Sequence, residues 1–186
     1  MLLYKQPQNN NNPDTTPEPQ FLLGMVPQRN GWTVFKGLPD ASDQGPVQTA
    51  LREFQEETGC HRGKDFLHPF QPLATLHGRV GKKRLEIYLH EGADFDEDTS
   101  FCLERVVTID SGYMQGKPEI VRVKWLTLHE ALQGSEGAKI YKSQENILQE
   151  AHTILMRKFQ EQHETQTAKD IETNDEIAND GESETN

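Results

Sequence analysis

The chain has 186 residues, enough for one domain with extensions, and its 19 basic and 30 acidic side chains give a formal net charge of −11. Nine acids and one lysine lie between Glu161 and Asn186, a net of −8, which leaves about −3 for the rest, and a body so near neutral offers no footprint for nucleic acid or an acidic membrane. No apolar run approaches a membrane span, no secretory signal pattern opens the chain, and the two cysteines, Cys60 and Cys102, make no disulfide framework; these features point to a soluble, cytoplasmic protein with reduced thiols.

Met1 to Lys5 reads as a strand with a very short lead-in. Gln6 to Gln20 is polar, with Asn9 to Asn12 consecutive, and reads as a flexible low-complexity loop. Phe21 to Val26 is a buried strand closing a hairpin with the first, and Trp32 to Phe35 is a short strand running into Lys36 and Gly37. Gln48 to Thr58 is a helix: Val47, Ala50, Leu51 and Phe54 recur at spacings of three and four, and Gly59 ends it. Glu53, Glu56 and Glu57 cluster on another side, expected well away from that stripe. Three crowded carboxylates without an interleaved lysine are most easily explained by a bound divalent cation, and oxygen-only ligands favour Mg²⁺ or Mn²⁺ over zinc. The competing explanation is an ordinary solvated acidic face.

Beyond the helix, His61 to Phe70 is a connector, and Leu73 to Arg79 and Lys83 to His90 form a hairpin. Leu85, Ile87 and Leu89 share one face of its second strand, with Arg84, Glu86, Tyr88 and His90 on the other. Arg79, Lys82, Lys83 and Arg84 gather four cations at the hairpin turn, suited either to a polyphosphate or to a solvated tip. Glu91 to Cys102 reads as a solvated acidic loop, Leu103 to Ile109 as a strand, and Asp110 to Pro118 as a loop. Glu119 to Leu126 is a strand, and Thr127 and Glu130 form a capping box that opens a short helix. Ser143 to Glu164 is an amphipathic helix capped by Ser143, and an acidic, disordered tail is expected over residues 161–186.

The order Arg52-Glu53-Phe54-Gln55-Glu56-Glu57-Thr58-Gly59-Cys60 resembles the core of the Nudix box, R-E-U-x-E-E-x-G-U with U apolar. The upstream half of the pattern fits less well: Gln44 stands where the family has a glutamate, and Gly37 lies one residue too far upstream, although Asp40 and Asp43 are close by. Pro118 to Ala131 resembles the late Nudix strand and helix. The resemblance implies an α/β fold, a mixed β-sheet sandwiched between helices, over residues 1–160. It further implies a Mg²⁺- or Mn²⁺-dependent pyrophosphohydrolase acting on a nucleoside diphosphate-linked small molecule. Glu56 and Glu57 would be the main metal ligands and Glu53 a third ligand or the base. The Gly37 carbonyl would add an oxygen, and Arg52 would orient the glutamates. Glu119 is the candidate for an extra ligand or base, and Arg79, Lys82, Lys83 and Arg84 for substrate phosphate. The altered loop leaves open a second class, a non-catalytic Nudix-like module that binds a nucleotide or a protein.

Overall fold

Strand β2 (Gln20–Val26) organises the sheet. Its residues are apolar on both faces, as expected of a strand covered on both sides, and it has neighbours along both edges. One edge carries β6 (Arg122–Thr127), antiparallel over six residue pairs from Gln20↔Thr127 to Met25↔Arg122. The other edge is shared by β1 (Leu2–Lys5), opposite Gln20 and Phe21, and β3 (Gly31–Thr33), opposite Gly24 to Val26. Strand β1 runs parallel to β5 (Lys83–Glu91), which forms the hairpin with β4 (Ala74–Val80), and this one parallel pairing makes the sheet mixed. The computed structural model describes residues 1–6, 18–27, 31–60, 70–112 and 114–180, with side chains described through residue 165. Most of the polar segment after Gln6, most of the connector from His61 to Phe70, and Tyr113 lie outside the described residues.

Helix α1 (Pro46–Thr58) covers one face of the sheet. Phe54, fully buried, meets Phe35 and Phe95 edge-on at centroid distances of 5.0 and 5.8 Å, above a core that includes Leu3, Leu22, Tyr88 and Trp125. Edge-to-face pairs of this kind add to the gain from burial alone. The opposite face receives Ile147, from the start of the last helix: a Cβ on Gly78 would lie 2.4 Å from its Cδ1, so this strand position must be glycine for the two to pack. Helices therefore lie on both faces of an open, mixed sheet, the α/β architecture expected. Among the described residues, no helix is long and apolar enough to cross a membrane.

Several local expectations change. Leu103 to Ile109 is not a strand. Leu103–Arg105 is a 3₁₀ turn, and Thr108 bridges to Pro118 as a single pair. The acidic stretch after Glu91 is partly built into the core: Asp96 caps α2 (Glu97–Ser100), Phe95 is buried, and Glu97 accepts from the Trp125 amide at 2.5 Å. The capping box at Thr127 opens α3 (Leu128–Gln133) as expected. Ser143 sits inside a 3₁₀ turn, Lys142–Gln144, rather than at a cap, and α4 runs Glu145–Asp180, past the expected end at Glu164 and through much of the segment expected to be disordered. Glutamate, glutamine, lysine and alanine in this stretch favour helix without an apolar stripe, and Gln160 donates to Glu164 at 3.1 Å one turn on. The chain divides into two compact units, Met1–His152 and Thr153–Asn186.

Gln144, at 1% exposure, ties β3 to this last turn. Its Oε1 accepts from the Val34 amide at 2.8 Å and its Nε2 donates to the Thr33 hydroxyl at 2.9 Å. Replacing it with methionine keeps the length but strands a buried amide, a loss of about 1–3 kcal/mol. Urea unfolding of Gln144→Met should show a lower midpoint at unchanged slope; an unchanged midpoint would refute the role.

Candidate functional site

The segment from Phe35 to Pro46 leaves β3 and folds back over α1. Asp40 and Asp43 close it into a turn: the Asp43 amide donates to the Asp40 carbonyl at 3.1 Å, and the Asp40 amide to Asp43 Oδ2 at 2.8 Å. Asp43 then grips Arg52 with both oxygens, accepting from Nε at 3.0 Å and Nη2 at 2.9 Å, and takes the Thr49 hydroxyl at 2.9 Å. The paired guanidinium holds the Asp43 carboxyl well below the usual carboxylate range. Arg52 also donates to the Leu38 carbonyl at 2.8 Å, to Glu56 at 2.7 Å, and pairs with Glu53 at 3.0 Å.

This geometry corrects the reading of the loop. The acid missing at Gln44 is supplied by Asp43, separated from Gly37 by five residues, which is the family spacing for glycine and acid. The extra residue falls between Asp43 and Arg52, where Gly45 (φ 157°) and Pro46 start the helix. Gln44 is exposed, and its amide donates to Gln48. The glycine-to-acid spacing was the signal available in the sequence.

The carboxylates are not on a solvated face. Glu57 is 3% exposed and Glu53 9%, while Val47, expected in the apolar stripe, is 39% exposed. Glu57 comes seven residues after Ala50, so it falls within about 20° of it around the helix and goes under with the stripe. Its Oε2 accepts from the Lys36 amide at 2.7 Å. Burial pushes its carboxyl up to about 8, with the Lys36 charge opposing and Glu119 adding to the rise. Glu53 lies against the backbone of Gly37: a Cβ there would come within 1.8 Å of its carboxyl carbon, so any side chain at 37 would evict it. Burial raises Glu53 as well. Glu56 remains at the surface edge on Arg52.

Glu119 reaches this group from the other side. The Val107 amide donates to the Glu56 carbonyl at 2.9 Å and the Glu119 amide to the Val107 carbonyl at 3.0 Å, so helix and strap are stitched through their backbones. Burial, then the charges of Glu53 and Glu56, raise the Glu119 carboxyl. Glu53, Glu57, Glu119 and the Gly37 segment are thus brought together, with Arg52 at their edge. The hairpin cations are not gathered as a set. Arg79 and Arg84 face each other across the β4–β5 register, Lys83 pairs with Val80 on the opposite face, and Lys82 sits in the turn. Only Arg84 of the four lines the neighbouring cleft of about 490 Å³, together with Glu86 and His77.

Among the described residues, no three His, Cys, Asp or Glu side chains form a ready-made metal cage. The donor chemistry nonetheless suits a hard dication. The donors are all oxygen, and three neighbouring carboxyls are pushed toward their neutral forms by burial and by neighbouring carboxylates, a penalty that a cation removes. A stability consequence follows for Glu57. Between its unfolded value of 4.5 and about 8, the folded chain holds a proton that the unfolded chain has lost. The contribution of Glu57 to the metal-free protein therefore falls as pH rises through that window, by at most about 1.4 kcal/mol per unit, while the buried Met1 amino group, lowered to about 5, contributes in the opposite sense. Measured against Glu57→Gln, the wild-type Tm should fall progressively across that window, and Mg²⁺ should recover it most at the alkaline end; a wild-type Tm that gains on the variant as pH rises would contradict the burial of this acid.

A family model for the NUDIX domain matches residues 17–150, which holds the whole of this site from Lys36 to Glu119. No match to a curated protein was found. NUDIX domains generally hydrolyse pyrophosphate bonds in nucleoside diphosphate-linked substrates, with divalent ions such as Mg²⁺ or Mn²⁺. With the match spanning most of its length and the box helix folded around buried glutamates, the chain belongs to the NUDIX family.

Proposed function

We propose that the chain hydrolyses a phosphoanhydride bond in a nucleoside triphosphate, dinucleoside polyphosphate or similar small molecule, using Mg²⁺ or Mn²⁺. The observation that carries this reading is the burial of Glu53 and Glu57 on α1 beside the backbone of Lys36 and Gly37, with the Glu119 carboxyl close enough that the charges add to one another's rise. Glu53 and Glu57, with the Gly37 carbonyl and Glu56 at the edge, would hold the ion, leaving Glu119 to serve as the base. When bound, it would neutralise phosphate oxygens and the charge that develops on the leaving phosphate.

The chain's own residues do the rest. Arg52, clamped by Asp43, fixes the rotamers of Glu53 and Glu56. The Lys36 amide fixes Glu57, and the Lys36 charge beside Glu57 and Glu119 attracts the anionic substrate. Water attacks phosphorus, the bond to the bridging oxygen breaks, and a carboxylate accepts the proton of the water. Glu119 suits that task because its surroundings raise its proton affinity. The observation that favoured a non-catalytic module was a loop without its acid, and Asp43 now supplies one.

Assay of a nucleotide panel for phosphate or pyrophosphate release should show turnover that needs Mg²⁺ or Mn²⁺ and stops with a chelator. Glu57→Gln should lower kcat by about 10²–10³ or more while the far-ultraviolet circular dichroism is unchanged. Asp43→Asn should lose activity through misalignment of Arg52, and Gln44→Ala should be near wild type. Near-normal turnover in Glu57→Gln, or a larger loss at Gln44 than at Asp43, would count against the assignment.

A further inference from the structure

The edge of a sheet presents a row of backbone donors and acceptors, and folded chains usually cover or blunt it. The outer strands of this sheet are treated unequally. Along β3, the Trp32 amide donates to the Lys139 carbonyl at 2.9 Å and the Trp32 carbonyl accepts from the Tyr141 amide at 3.1 Å, so the chain around Ile140 lies against that edge. Along β6, Glu97 takes the Trp125 amide at 2.5 Å and Glu130 the Thr127 amide at 2.8 Å. Strand β4 ends the sheet with β5 on one side only. Its turn fixes which groups are left over. Gly81 and Lys82 join the paired residues Val80 and Lys83, a two-residue hairpin whose closing pair exchanges both hydrogen bonds. Bonded and non-bonded pairs then alternate, so Leu76 and Gly78 bond to β5 while Thr75, His77 and Arg79 turn their amides and carbonyls outward. Among the described residues these outward groups have no partner.

The side chains along this edge differ between its two faces. On the face of Thr75 and His77, Arg79 and Arg84 stand directly opposite each other, and like charges so placed are destabilising. Lys82 and Lys83 follow at the turn, β4 itself carries no acid, and none of the four cations enters an ion pair among the described residues. Glu86, the acid of that face nearest to them, accepts from the Tyr88 hydroxyl. On the other face Leu76 is fully buried, Val80 is partly buried, and the place of a side chain at Gly78 is filled by Ile147. An arriving strand would therefore meet cations on one face and apolar groups on the other.

We propose that the outer edge of β4 docks an extended peptide of a partner protein, one in which acidic side chains alternate with apolar ones. Main-chain pairing to Thr75, His77 and Arg79 supplies attachment, and the alternation supplies selection. The acids lie beside Arg79 and relieve its opposition to Arg84, while the apolar side chains extend the row of Leu76 and Val80. Charge decides against a second copy of β4 as the occupant, because pairing this strand with itself would bring two sets of the same cations to one junction.

The probe is a fluorescein-labelled heptapeptide of alternating glutamate and valine, titrated into the full chain and followed by fluorescence anisotropy. Its affinity should fall about tenfold when lysine replaces glutamate, and by as much when the peptide amides that face β4 are N-methylated. Hydrogen exchange followed by NMR should show the amides of Thr75, His77 and Arg79 exchanging fast in the free protein and protected by the peptide, with those of Leu76 and Gly78 unchanged. Thr75→Pro removes an outward donor where an edge strand tolerates proline, so it should weaken peptide binding about tenfold and leave the melting temperature close to that of the parent. Arg79→Glu should weaken it about fivefold or more. Absence of binding at millimolar peptide, equal affinity for the N-methylated peptide, or no protection of the three amides at saturation would overturn the proposal. So would sedimentation showing a dimer that Thr75→Pro converts to a monomer, since the edge would then belong to a second copy.

Discussion

Burial of two acids on the inner side of α1 is the constraint to which the surrounding structure answers. Phe54 and Ala50 dock the helix on the sheet, and the helical repeat then carries Glu57 and Glu53 under with them. Leaving a carboxyl unsolvated is costly unless it is hydrogen-bonded, protonated or paired. Each neighbouring feature meets part of that demand: the Lys36 amide for Glu57, the side-chain-free backbone of Gly37 and the Arg52 guanidinium for Glu53. Arg52 is itself fixed, because Asp43 and the Leu38 carbonyl take its remaining donors. The loop, the helix and the strap to Glu119 form one electrostatic arrangement.

Much of this was legible before any coordinates. Most of the strands, the hairpin and the capping box follow from period-two and turn signals, and the helix with its glutamates follows from spacing alone. What was misread had physical causes. The carboxylates were set apart from the apolar stripe as a separate angular cluster, although Glu57 falls within about 20° of Ala50, two turns earlier. Leu103 to Ile109 has the apolar content of a strand, but its amides at Arg105 and Val106 close local turns and Val107 is claimed by the carbonyl of Glu56. Such a partner, fifty residues away in sequence, leaves no periodic trace.

The loop offers a related lesson. Judged position by position, Gln44 looks like a lost acid. Judged by what must touch Arg52, the acid is retained one residue earlier and the insertion is absorbed by Gly45 and Pro46, where the backbone is extended and the first helical position needs no amide. The contact to Arg52 is kept although the acid stands at another position. The four hairpin cations illustrate the converse: neighbours in sequence, they are split by strand register and turn geometry between the two faces and the tip.

The stitching of the strap to the helix has a further consequence. Val107 and Glu119 are joined backbone to backbone, and inside that junction Thr108 bridges Pro118 and the Ile109 amide donates to the Lys117 carbonyl at 2.9 Å. The stretch from Thr108 to Pro118 is thus a closed excursion with a fixed root. Its tip can lengthen, shorten or change chemistry without moving the acid at its foot. Such a design separates the part of a protein that must stay constant from a part in which inheritance can experiment.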